Sequence, residues 1–504
     1  MMKTLNNFGK KRVKFMDILF KKNEISNDAA LIVGVYEDML FTKTAKKIDG
    51  VLNGMLARAL KIDNFNGRLG ETYDFIALGN LPVKRLLCVG LGKKADMNDL
   101  TAQTVGAYAA NALLTSGETA VAFAVDDLPP APVGFGAKIA SYRFTKHKTI
   151  FKKPVTVKEF YILSDHAQAA QNQYEPYFAV AKGIHTARDL VNEPANVITP
   201  ITFAKRAEEL QKYGLQTEVY DPNQLRAKGL NMMLGVAQGS VNPPRLVVVQ
   251  WRGCPEDKNM HVVLVGKGVT FDSGGLSLKP AKGMEDMKED LAGAATALGT
   301  LQTLAMRKAK VNAAAVMAMV ENMPSGTAQR PGDIVKSLSG ITVEVINTDA
   351  EGRLVLGDAL WYAQERFNAP VVIDLASLTG AIVVALGTEY AGLFSNDNDL
   401  AGQMEKASAD SGEKVWRMPM DDFFDDQIVS DVADIRNTST SGRAGGSITA
   451  AAFLKRFIMP QTKWAHLDIA GVALKEKDSV MGPKGGSGFG VQLLNRFIKD
   501  NLEK

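Results

Sequence analysis

The hydrophobic pattern of the chain alternates between short apolar runs and longer amphipathic stretches. In the first third, ALIVGVY (30–36) is apolar at consecutive positions, as in strands that helices cover on both faces. DLTAQTVGAYAANALL (99–114) instead repeats its apolar residues at helical spacing. The predicted strands of this part are 30–36, 85–92, 119–125 and 159–163, and the predicted helices are 49–61 and 99–114.

The stretch 126–157 shows less hydrophobic periodicity than the segments before it. It contains DDLPPAPVGFG and the basic run RFTKHKTIFKKP, in which proline, glycine and lysine interrupt any apolar period. We therefore predict loops and edge strands for 126–157. The polar, helix-favouring residues 165–191 follow, and they predict a connecting helix with a domain boundary near residue 170.

Strand-like and helix-like patterns alternate again beyond this boundary. The predicted strands are 245–251, 261–266, 311–320, 342–346, 371–377 and 464–471, and the predicted helices are 203–213, 290–307, 354–366, 446–458 and 488–502. Alternation of this kind is typical of α/β folds. The chain is therefore expected to form an N-terminal domain over 1–170 and a second domain over 171–504.

Composition and charge narrow the class of protein. The 504 residues are 46% hydrophobic and 23% charged, which is ordinary globular composition. Cys88 and Cys254 are the only cysteines, so we expect no disulfide framework and a reducing, cytoplasmic location. The net charge of +4 is too small to indicate a nucleic-acid partner. No apolar run approaches the ~20 residues that a membrane-spanning helix needs.

The stretch NTDAEGRL (347–354) is the first candidate for chemistry. It places Asp349, Glu351 and Arg353 at alternate positions directly after the apolar run TVEVI. In an extended segment, alternate residues share one face at a spacing of about 6.6 Å. We therefore expect these three side chains to point into one site.

A second charged stretch, VGKGVTFDSGGLSLKP (265–280), follows the predicted strand 261–266, and acidic residues at the next helix start follow it. Taken singly, its residues suit helix caps, turns and exposed loops. Four carboxylates gathered at one sheet edge would repel each other strongly, however, and basic residues would balance only part of that charge. Two divalent metal ions would balance the rest, and oxygen ligands without histidine suit Mn, Mg or Zn. The acids are Asp272, Asp290, Asp349 and Glu351, and the bases are Lys267, Lys279 and Arg353.

These residues resemble the cytosolic leucyl aminopeptidases, the M17 family of dinuclear-metal peptidases. The resemblance lies in order across residues 185–475, whereas the N-terminal third resembles the family only in its general α/β character. The matching stretches are ARDLVNEPANVITP (187–200), VGKGVTFDSGG, LSLKP, ENMPSGTAQRPGD (321–333), NTDAEGRL and WAHLDIAG.

The resemblance implies a fold and an activity. The fold would be a smaller N-terminal α/β domain, for oligomerisation or regulation, and a larger catalytic α/β domain with a central mixed sheet flanked by helices. The activity would be metal-dependent release of N-terminal amino acids, preferably Leu or other apolar residues, from peptides with a free N-terminus. Family members are usually homohexamers, and no membrane partner is expected.

The resemblance also implies a role for each matching residue. One Mn²⁺ or Zn²⁺ ion would bind to Lys267, Asp272, Asp290 and Glu351, and a more exchangeable second ion to Asp272, Asp349 and Glu351. Lys279 and Arg353 would be the catalytic pair, with a bicarbonate at Arg353 as general base. The pocket for the first substrate side chain would include Met287, Ser377, Gly380 and Ala470.

Two alternatives remain open from the residues. The basic N-terminal run, with Lys10, Lys11, Arg12 and Lys14, and KHKTIFKK (146–153) could contact DNA phosphates, which would add a regulatory role to a hexamer. Dinuclear carboxylate sites also hydrolyse phosphoesters. His466, in the apolar strand WAHLDIAG, is expected to be a hydrogen-bonded core residue and not a metal ligand.

Overall fold

The computed structural model describes residues 16–24, 29–76, 81, 83–150, 153–442 and 444–504. The chain divides into two compact units, Met1–Ala181 with Asp478–Pro483 and Lys182–Lys477 with Lys484–Lys504. Each unit contains one large mixed sheet with helices, so the predicted fold of a smaller and a larger α/β unit is confirmed. No helix among the described residues has both the length and the apolar character needed to cross a membrane.

The smaller unit is built on a sheet whose strands run in the order β1-β7-β6-β2-β5-β4, with β3 beside β2. Most neighbours are parallel, while β4 and β3 pair antiparallel to β5 and β2. The strands are β1 Asp17–Lys21, β2 Ala30–Tyr36, β3 Leu40–Phe41, β4 Thr72–Ile76, β5 Arg85–Gly90, β6 Ala120–Ala124 and β7 Glu159–Leu163. The helices are α1 Lys43–Val51, α2 Met55–Ile62, α3 Asp99–Leu113, α4 Pro130–Ala140 and α5 Ala167–Asn192, of which Ala167–Ala181 belongs to this unit, with 3-10 turns at Glu37–Met39 and Lys94–Asp96.

The prediction of loops and edge strands for 126–157 is wrong at one place, because the helix α4 lies there and is buried at every position after Pro130. Pro130 occupies the first helical position, where a missing N–H costs nothing. The glycines of α4 and α3 allow the two backbones to touch. A Cβ on Gly136 would lie 1.8 Å from the Gln103 carbonyl oxygen. Tertiary packing therefore stabilises a helix that local propensity disfavours.

The predicted helix 49–61 is also interrupted. The structure has two helices here, α1 and α2, separated by Asn53 and Gly54 with φ of 51° and 76°. Left-handed backbone of this kind ends a helix, and glycine and asparagine adopt it at the lowest cost.

The larger unit has a sheet in the order β16-β15-β18-β14-β10-β11-β9-β8. Its central strands β18, β14, β10 and β11 are parallel, while β8, β9 and β15 pair antiparallel to their inner neighbours. The strands of this unit are β8 Gln216–Tyr220, β9 Arg245–Arg252, β10 Val262–Asp272, β11 Asn312–Asn322, β12 Ile334–Lys336, β13 Thr342–Glu344, β14 Val371–Ala376, β15 Ala391–Ser395, β16 Val415–Arg417, β17 Ile435–Arg436, β18 Lys463–Asp468, β19 Leu474–Lys475 and β20 Gly485–Gly486. Its helices are α6 Pro200–Glu208, α7 Pro222–Lys228, α8 Asn231–Ala237, α9 Ala292–Met306, α10 Gly352–Phe367, α11 Gly380–Leu386, α12 Asn398–Ser411, α13 Asp422–Asp426, α14 Gly446–Lys455 and α15 Val491–Asn501, with 3-10 helices at Glu209–Tyr213 and Met284–Leu291.

Helices cover both faces of this sheet, which explains why its strands are apolar at successive positions. Val263 and Val265 of β10 belong to a core cluster that also contains Leu356 of α10 and Phe453 of α14. On the opposite face, α9 packs closely on β14, and a Cβ on Gly293 would lie 2.0 Å from the Leu375 carbonyl oxygen. This close approach holds the start of α9 against the strand ends that carry the site.

Candidate metal centre

The charged residues of the larger unit meet where parallel strands end. Lys267 lies within β10 and Asp272 is its last residue, while β14 beside it ends one residue before Ser377. The carboxyl ends of parallel strands in open α/β sheets are where ligand sites form. The 3-10 helix Met284–Leu291 brings Asp290 to the same edge.

The stretch 347–354 is not extended, so the prediction that alternate residues share a face is wrong. The Asn347 side chain accepts a hydrogen bond from the Asp349 N–H, at 2.8 Å, which makes a turn. Glu351 then has helical backbone, and α10 begins at Gly352. Asp349 therefore lies in a turn, and Arg353 lies in the first turn of a helix.

Three carboxylates nonetheless converge. Asp272, Asp290 and Glu351 each offer an oxygen, and these three oxygens lie within 4.8 Å of one another. All three residues are at least 95% buried. Like charges held this close in a dry interior are strongly unfavourable without compensating cations.

Lys267 compensates the inner part of the cluster. Its ammonium lies 2.7 Å from Asp290 Oδ1 and 2.9 Å from Glu351 Oε1, and it donates to the Ser377 carbonyl at 2.9 Å. Burial by itself would lower the pKa of Lys267, but the neighbouring Asp290 and Glu351 carboxylates raise it well above its ordinary value. In this arrangement Lys267 is protonated.

Lys279 compensates the outer part. Its ammonium lies 2.8 Å from Asp272 Oδ2 and also pairs with Asp349 Oδ1. Burial opposes the charged form, yet Asp272 and Glu351 raise the pKa of Lys279 above its usual value. The two lysines thus hold four carboxylates in two adjoining ion-pair groups.

Burial raises the pKa values of the three converging carboxyl groups. Burial and the Glu351 charge raise the pKa of Asp272 to about 6, against the pull of Lys279 and Lys267. Burial raises the pKa of Asp290 and of Glu351 in the same direction. The cluster therefore carries more negative charge than its protein environment fully stabilises.

Three oxygens of the cluster make no hydrogen bond among the described residues. They are Asp290 Oδ2, Glu351 Oε2 and Asp349 Oδ1, of which Asp349 Oδ1 lies in the ion pair with Lys279. A buried carboxylate oxygen without a partner costs free energy that a divalent cation would recover. Oxygen donors, converging spacing and excess negative charge therefore fit divalent metal ions.

Arg353 adds a further buried cation beside this cluster. It is only 9% exposed, and its Nε finds no hydrogen-bond partner in the described part of the chain. Burial lowers the pKa of Arg353 to about 10, although Glu351 and Asp468 oppose that change. The guanidinium is therefore charged at neutral pH and retains an unused donor.

The four residues predicted for the substrate pocket lie around the same sheet edge. The Ser377 hydroxyl donates to Asp290 Oδ1 at 2.9 Å, which ties it directly to the cluster. Gly380 is the first residue of α11, and a Cβ on it would meet no atom within 4 Å. The Ala470 N–H donates to Asp468, and half-buried Met287 lies one turn before Asp290.

Two asparagines that sequence reasoning did not identify position the acidic residues. Asn322, at the end of β11, donates to Asp272 Oδ1 at 2.8 Å and to the Thr348 carbonyl at 3.0 Å. Asn437 accepts from the Ile346 and Asn347 N–H groups and donates to the Asn347 and Ala350 carbonyls. Asn322 lies in a motif noted above, whereas no local pattern distinguishes Asn437.

His466 is a core residue, as predicted. Its ring Nδ1 lies 2.6 Å from Asp374 Oδ1, and the two residues are paired in register on β18 and β14. Both side chains are fully buried, and the Trp464 ring stacks near the imidazole.

Comparison with known proteins agrees with this geometry. The catalytic-domain description of the cytosol aminopeptidase family matches residues 185–495, and the N-terminal-domain description of that family matches residues 32–150. The chain belongs to the cytosol aminopeptidase family. It is therefore a metal-dependent aminopeptidase, a hydrolase that removes residues from the N-termini of peptides.

Relatives within the cytosol aminopeptidase family match nearly the whole chain. A probable cytosol aminopeptidase of Sinorhizobium medicae is 48% identical over 463 residues, which cover 89% of this chain and 92% of that protein. A probable cytosol aminopeptidase of Cereibacter sphaeroides is 45% identical over 484 residues, which cover 95% of this chain and 96% of that protein.

Solved structures give the same result. A variant of tomato leucine aminopeptidase is 32% identical, with a TM-score of 0.88 and coverage of 98% of both chains. The bottromycin maturation enzyme BotP in complex with Mn is 31% identical, with a TM-score of 0.82 and coverage of 94% of this chain and 99% of that one.

Proposed function

We propose that this chain is a leucyl-type aminopeptidase that releases Leu and other apolar residues from the free N-termini of peptides. The observation that carries the proposal is the convergence of three buried carboxylates, two of them with unsatisfied oxygens, beside buried Lys267 and half-buried Lys279. Apolar preference is a finer proposal than the family membership, and it rests on the pocket described below.

Two divalent ions, Mn²⁺ or Zn²⁺, are proposed as the cofactors. The inner ion would be held by Lys267, Asp272, Asp290 and Glu351, and the outer ion by Asp272, Asp349 and Glu351. Bound there, they supply Lewis-acid polarisation of a carbonyl and make a water molecule more acidic. Lys267 can bind a metal ion only when its amine is neutral. It must therefore lose the proton that the negative charges of Asp290 and Glu351 stabilise on its ammonium in the absence of metal.

Lys279 is proposed as a catalytic residue. Its pKa lies above the usual value, so its ammonium is charged at neutral pH and can donate a hydrogen bond. The ion pairs with Asp272 and Asp349 hold that ammonium at the outer edge of the cluster. A fixed donor in this position would stabilise the negative charge that develops on the oxygen of a peptide carbonyl.

Arg353 is the second proposed catalytic residue. A buried guanidinium with an unused Nε donor suits an oxyanion such as bicarbonate, which guanidinium groups bind in fork geometry. A bicarbonate held there would act as the general base, a role that arginine itself cannot fill because it remains protonated.

Ser377, Gly380, Ala470 and Met287 are proposed to line the pocket for the first substrate side chain. Gly380 contributes open space, since a Cβ on it would meet no atom within 4 Å. Methionine adapts its shape to different apolar groups. Asp290, tied to Ser377, lies close enough to this pocket to receive the free α-amine of the substrate.

We further propose a homohexamer in the cytoplasm, with residues 1–170 serving oligomerisation or regulation and 171–504 serving catalysis. The chain mass is 54.4 kDa, so light scattering after size exclusion should give about six times that value. A mass near that of one chain would contradict the hexamer and leave the catalytic proposal intact.

The proposed reaction is tested by the initial rate of leucine p-nitroanilide hydrolysis. Protein treated with a chelator should be inactive, and Mn²⁺ or Zn²⁺ should restore the rate. N-acetyl-leucine p-nitroanilide should not be hydrolysed, because its amine is blocked. Equal rates on the acetylated and free substrates, or no activity in folded protein of confirmed metal content, would overturn the proposal.

DNA binding is the alternative role. Lys10, Lys11, Arg12 and Lys14 lie outside the described residues, while residues 146–150 and Lys153 are exposed. Exposed basic residues of this kind suit phosphate contacts, which weaken as salt rises. Gel shifts on duplex DNA test the role, and an absence of binding at low salt would exclude it.

A further inference from the structure

One carboxylate is bonded to both sides of the proposed substrate pocket. Asp468, the last residue of β18, is fully buried. Its Oδ1 accepts the Leu378 N–H at 3.1 Å and the Ala470 N–H at 3.2 Å, and its Oδ2 accepts the Thr379 hydroxyl at 2.7 Å. Three hydrogen bonds therefore converge on a side chain with no proposed part in metal binding.

The partners of Asp468 lie between or within the pocket residues. Leu378 and Thr379 are the two residues between Ser377 and Gly380, so they form one wall. Ala470 belongs to the other wall, on the segment that follows β18. Because Oδ1 accepts an N–H from each segment, a single oxygen joins the two walls.

Thr379 extends this connection to a helix. Its Oγ1 donates to Asp468 and also accepts the Ile382 N–H at 3.1 Å, which caps the start of α11. A side-chain cap fixes where the helix begins, and here it fixes Gly380. The position of Gly380 therefore depends on Asp468 through one hydroxyl.

We propose that Asp468 is a positioning residue that sets the width of the pocket for the first substrate side chain, and so the selectivity for leucine over smaller residues. The inference rests on the proposed function, because it concerns the same pocket. Asp468 acts through Thr379, Leu378 and Ala470 and does not itself touch the substrate.

Two substitutions cut the link from Asp468 to Thr379 with little change in size. Asp468→Asn keeps one oxygen for the Leu378 and Ala470 N–H groups but replaces Oδ2, which accepts the Thr379 hydroxyl, with a donating amide, and Thr379→Val removes the hydroxyl. Thr379→Ser keeps the hydroxyl and is the conservative rescue. Asp358→Asn is the matched control, since Asp358 is also fully buried and accepts backbone N–H groups, from Met233 and Leu338, away from the pocket.

The experiment compares kcat and KM for leucine and alanine p-nitroanilides in metal-loaded proteins. If the pocket walls are misplaced, the enzyme should lose as much selectivity between leucine and alanine as one or two methylene groups provide in an apolar pocket. In both Asp468→Asn and Thr379→Val, the leucine-to-alanine ratio of kcat/KM should therefore fall about tenfold, mainly through a higher KM for leucine. Thr379→Ser and Asp358→Asn should keep the wild-type ratio.

Hydrogen exchange gives a readout that is independent of turnover. Amides of residues 379–383, at the start of α11, should exchange faster in Asp468→Asn than in Asp358→Asn. Thermal unfolding followed by circular dichroism identifies any variant that does not fold, in which case Thr379→Val provides the kinetic test.

The outcomes separate this inference from the proposed function. A wild-type protein active on leucine p-nitroanilide, with unchanged ratios in folded Asp468→Asn and Thr379→Val, would overturn only the role of Asp468. An equal loss of selectivity in Asp358→Asn would also overturn it, since any buried aspartate would then suffice. A wild-type protein inactive on both substrates would overturn both.

Discussion

At the scale of single residues, the centre consists of charges that constrain one another over short distances. Lys267 and Lys279 each touch two carboxylates, and all these contacts involve side chains that are largely removed from water. Among the described residues, Asp290 Oδ2 and Glu351 Oε2 in the inner part of the cluster have no hydrogen-bond partner, and Asp349 Oδ1 in the outer part makes no hydrogen bond but pairs with Lys279. Removing either lysine would leave buried carboxylates uncompensated, which is among the costliest single changes in a protein.

Gly380→Leu is predicted to narrow the proposed pocket without disturbing the fold. A Cβ at this position would meet no atom within 4 Å. Replacing a glycine also lowers the conformational entropy of the unfolded chain, which raises the free energy of unfolding by about 0.4–1 kcal/mol. The added side chain would occupy the space of the substrate leucine, so kcat/KM for leucine p-nitroanilide should fall at least ~10-fold more than for the alanine substrate. Equal losses on the two substrates would contradict the assignment of Gly380 to the pocket.

Asp358 is predicted to make stability depend on pH. Burial raises the pKa of Asp358 to about 7 in the folded protein. An unfolded aspartate has a pKa of about 3.9, so the folded state binds the proton more tightly. The free energy of unfolding should then fall as pH rises from about 4 to about 7, by up to ~1.4 kcal/mol for each pH unit.

Urea unfolding at about pH 5 and about pH 8 measures this effect in wild type and Asp358→Asn. Asparagine does not titrate, so the loss of stability at the higher pH should be smaller in the variant than in wild type. The same pH dependence in both proteins would show that Asp358 ionises normally.

At the scale of elements, the turn 347–350 and the start of α10 bring the acidic residues to the cluster. Local chemistry begins the turn, because the Asn347 side chain bonds the Asp349 N–H. Distant residues complete it, since Asn437 makes four hydrogen bonds to the backbone of 346–350 from a segment about ninety residues away. The predicted extended conformation missed this turn because alternation of charged residues does not distinguish a strand from a turn followed by a helix.

Asn437→Ala is predicted to weaken metal binding. The turn that carries Asp349 would lose the four hydrogen bonds from the Asn437 side chain. Loss of residues that orient metal ligands typically lowers metal affinity about 10–100-fold. Calorimetric titration of chelator-treated protein with Mn²⁺ measures the change in Kd.

Asn396→Ala is the matched control for this prediction. Asn396 follows β15 and also bonds backbone in both directions, to the Thr462 carbonyl and the Trp464 N–H, at the start of β18 and not at the acidic turn. If Asn396→Ala weakened Mn²⁺ binding as much as Asn437→Ala, the effect would be general destabilisation.

At the scale of the whole molecule, the larger unit carries at the end of its sheet a charge cluster that metal ions would neutralise. A ligand that binds only the folded state stabilises it by about 2.7 kcal/mol at a concentration one hundred times its Kd. Adding Mn²⁺ to chelator-treated protein is therefore predicted to raise the unfolding temperature, as scanning calorimetry would measure.

Asp290→Asn is the control for the metal-dependent rise. It removes a charge from the three converging carboxylates and retains the size of the side chain. Its unfolding temperature should respond less to Mn²⁺ than that of wild type. An equal response in the two proteins would place the stabilising ion elsewhere.

By itself the sequence determined the α/β class, most strands of both sheets, the charged residues at their ends and the family. It could do so because apolar periodicity, turn residues and motif spacing are local properties of the chain. Only the tertiary structure decided that α4 is a helix, that Asp349 lies in a turn, that Asn322 and Asn437 bond the segments carrying the acidic residues, and that Asp468 accepts the Leu378 N–H. The physical reason is that these features depend on backbone contacts and hydrogen bonds between segments tens to about ninety residues apart, where no local period records the partner.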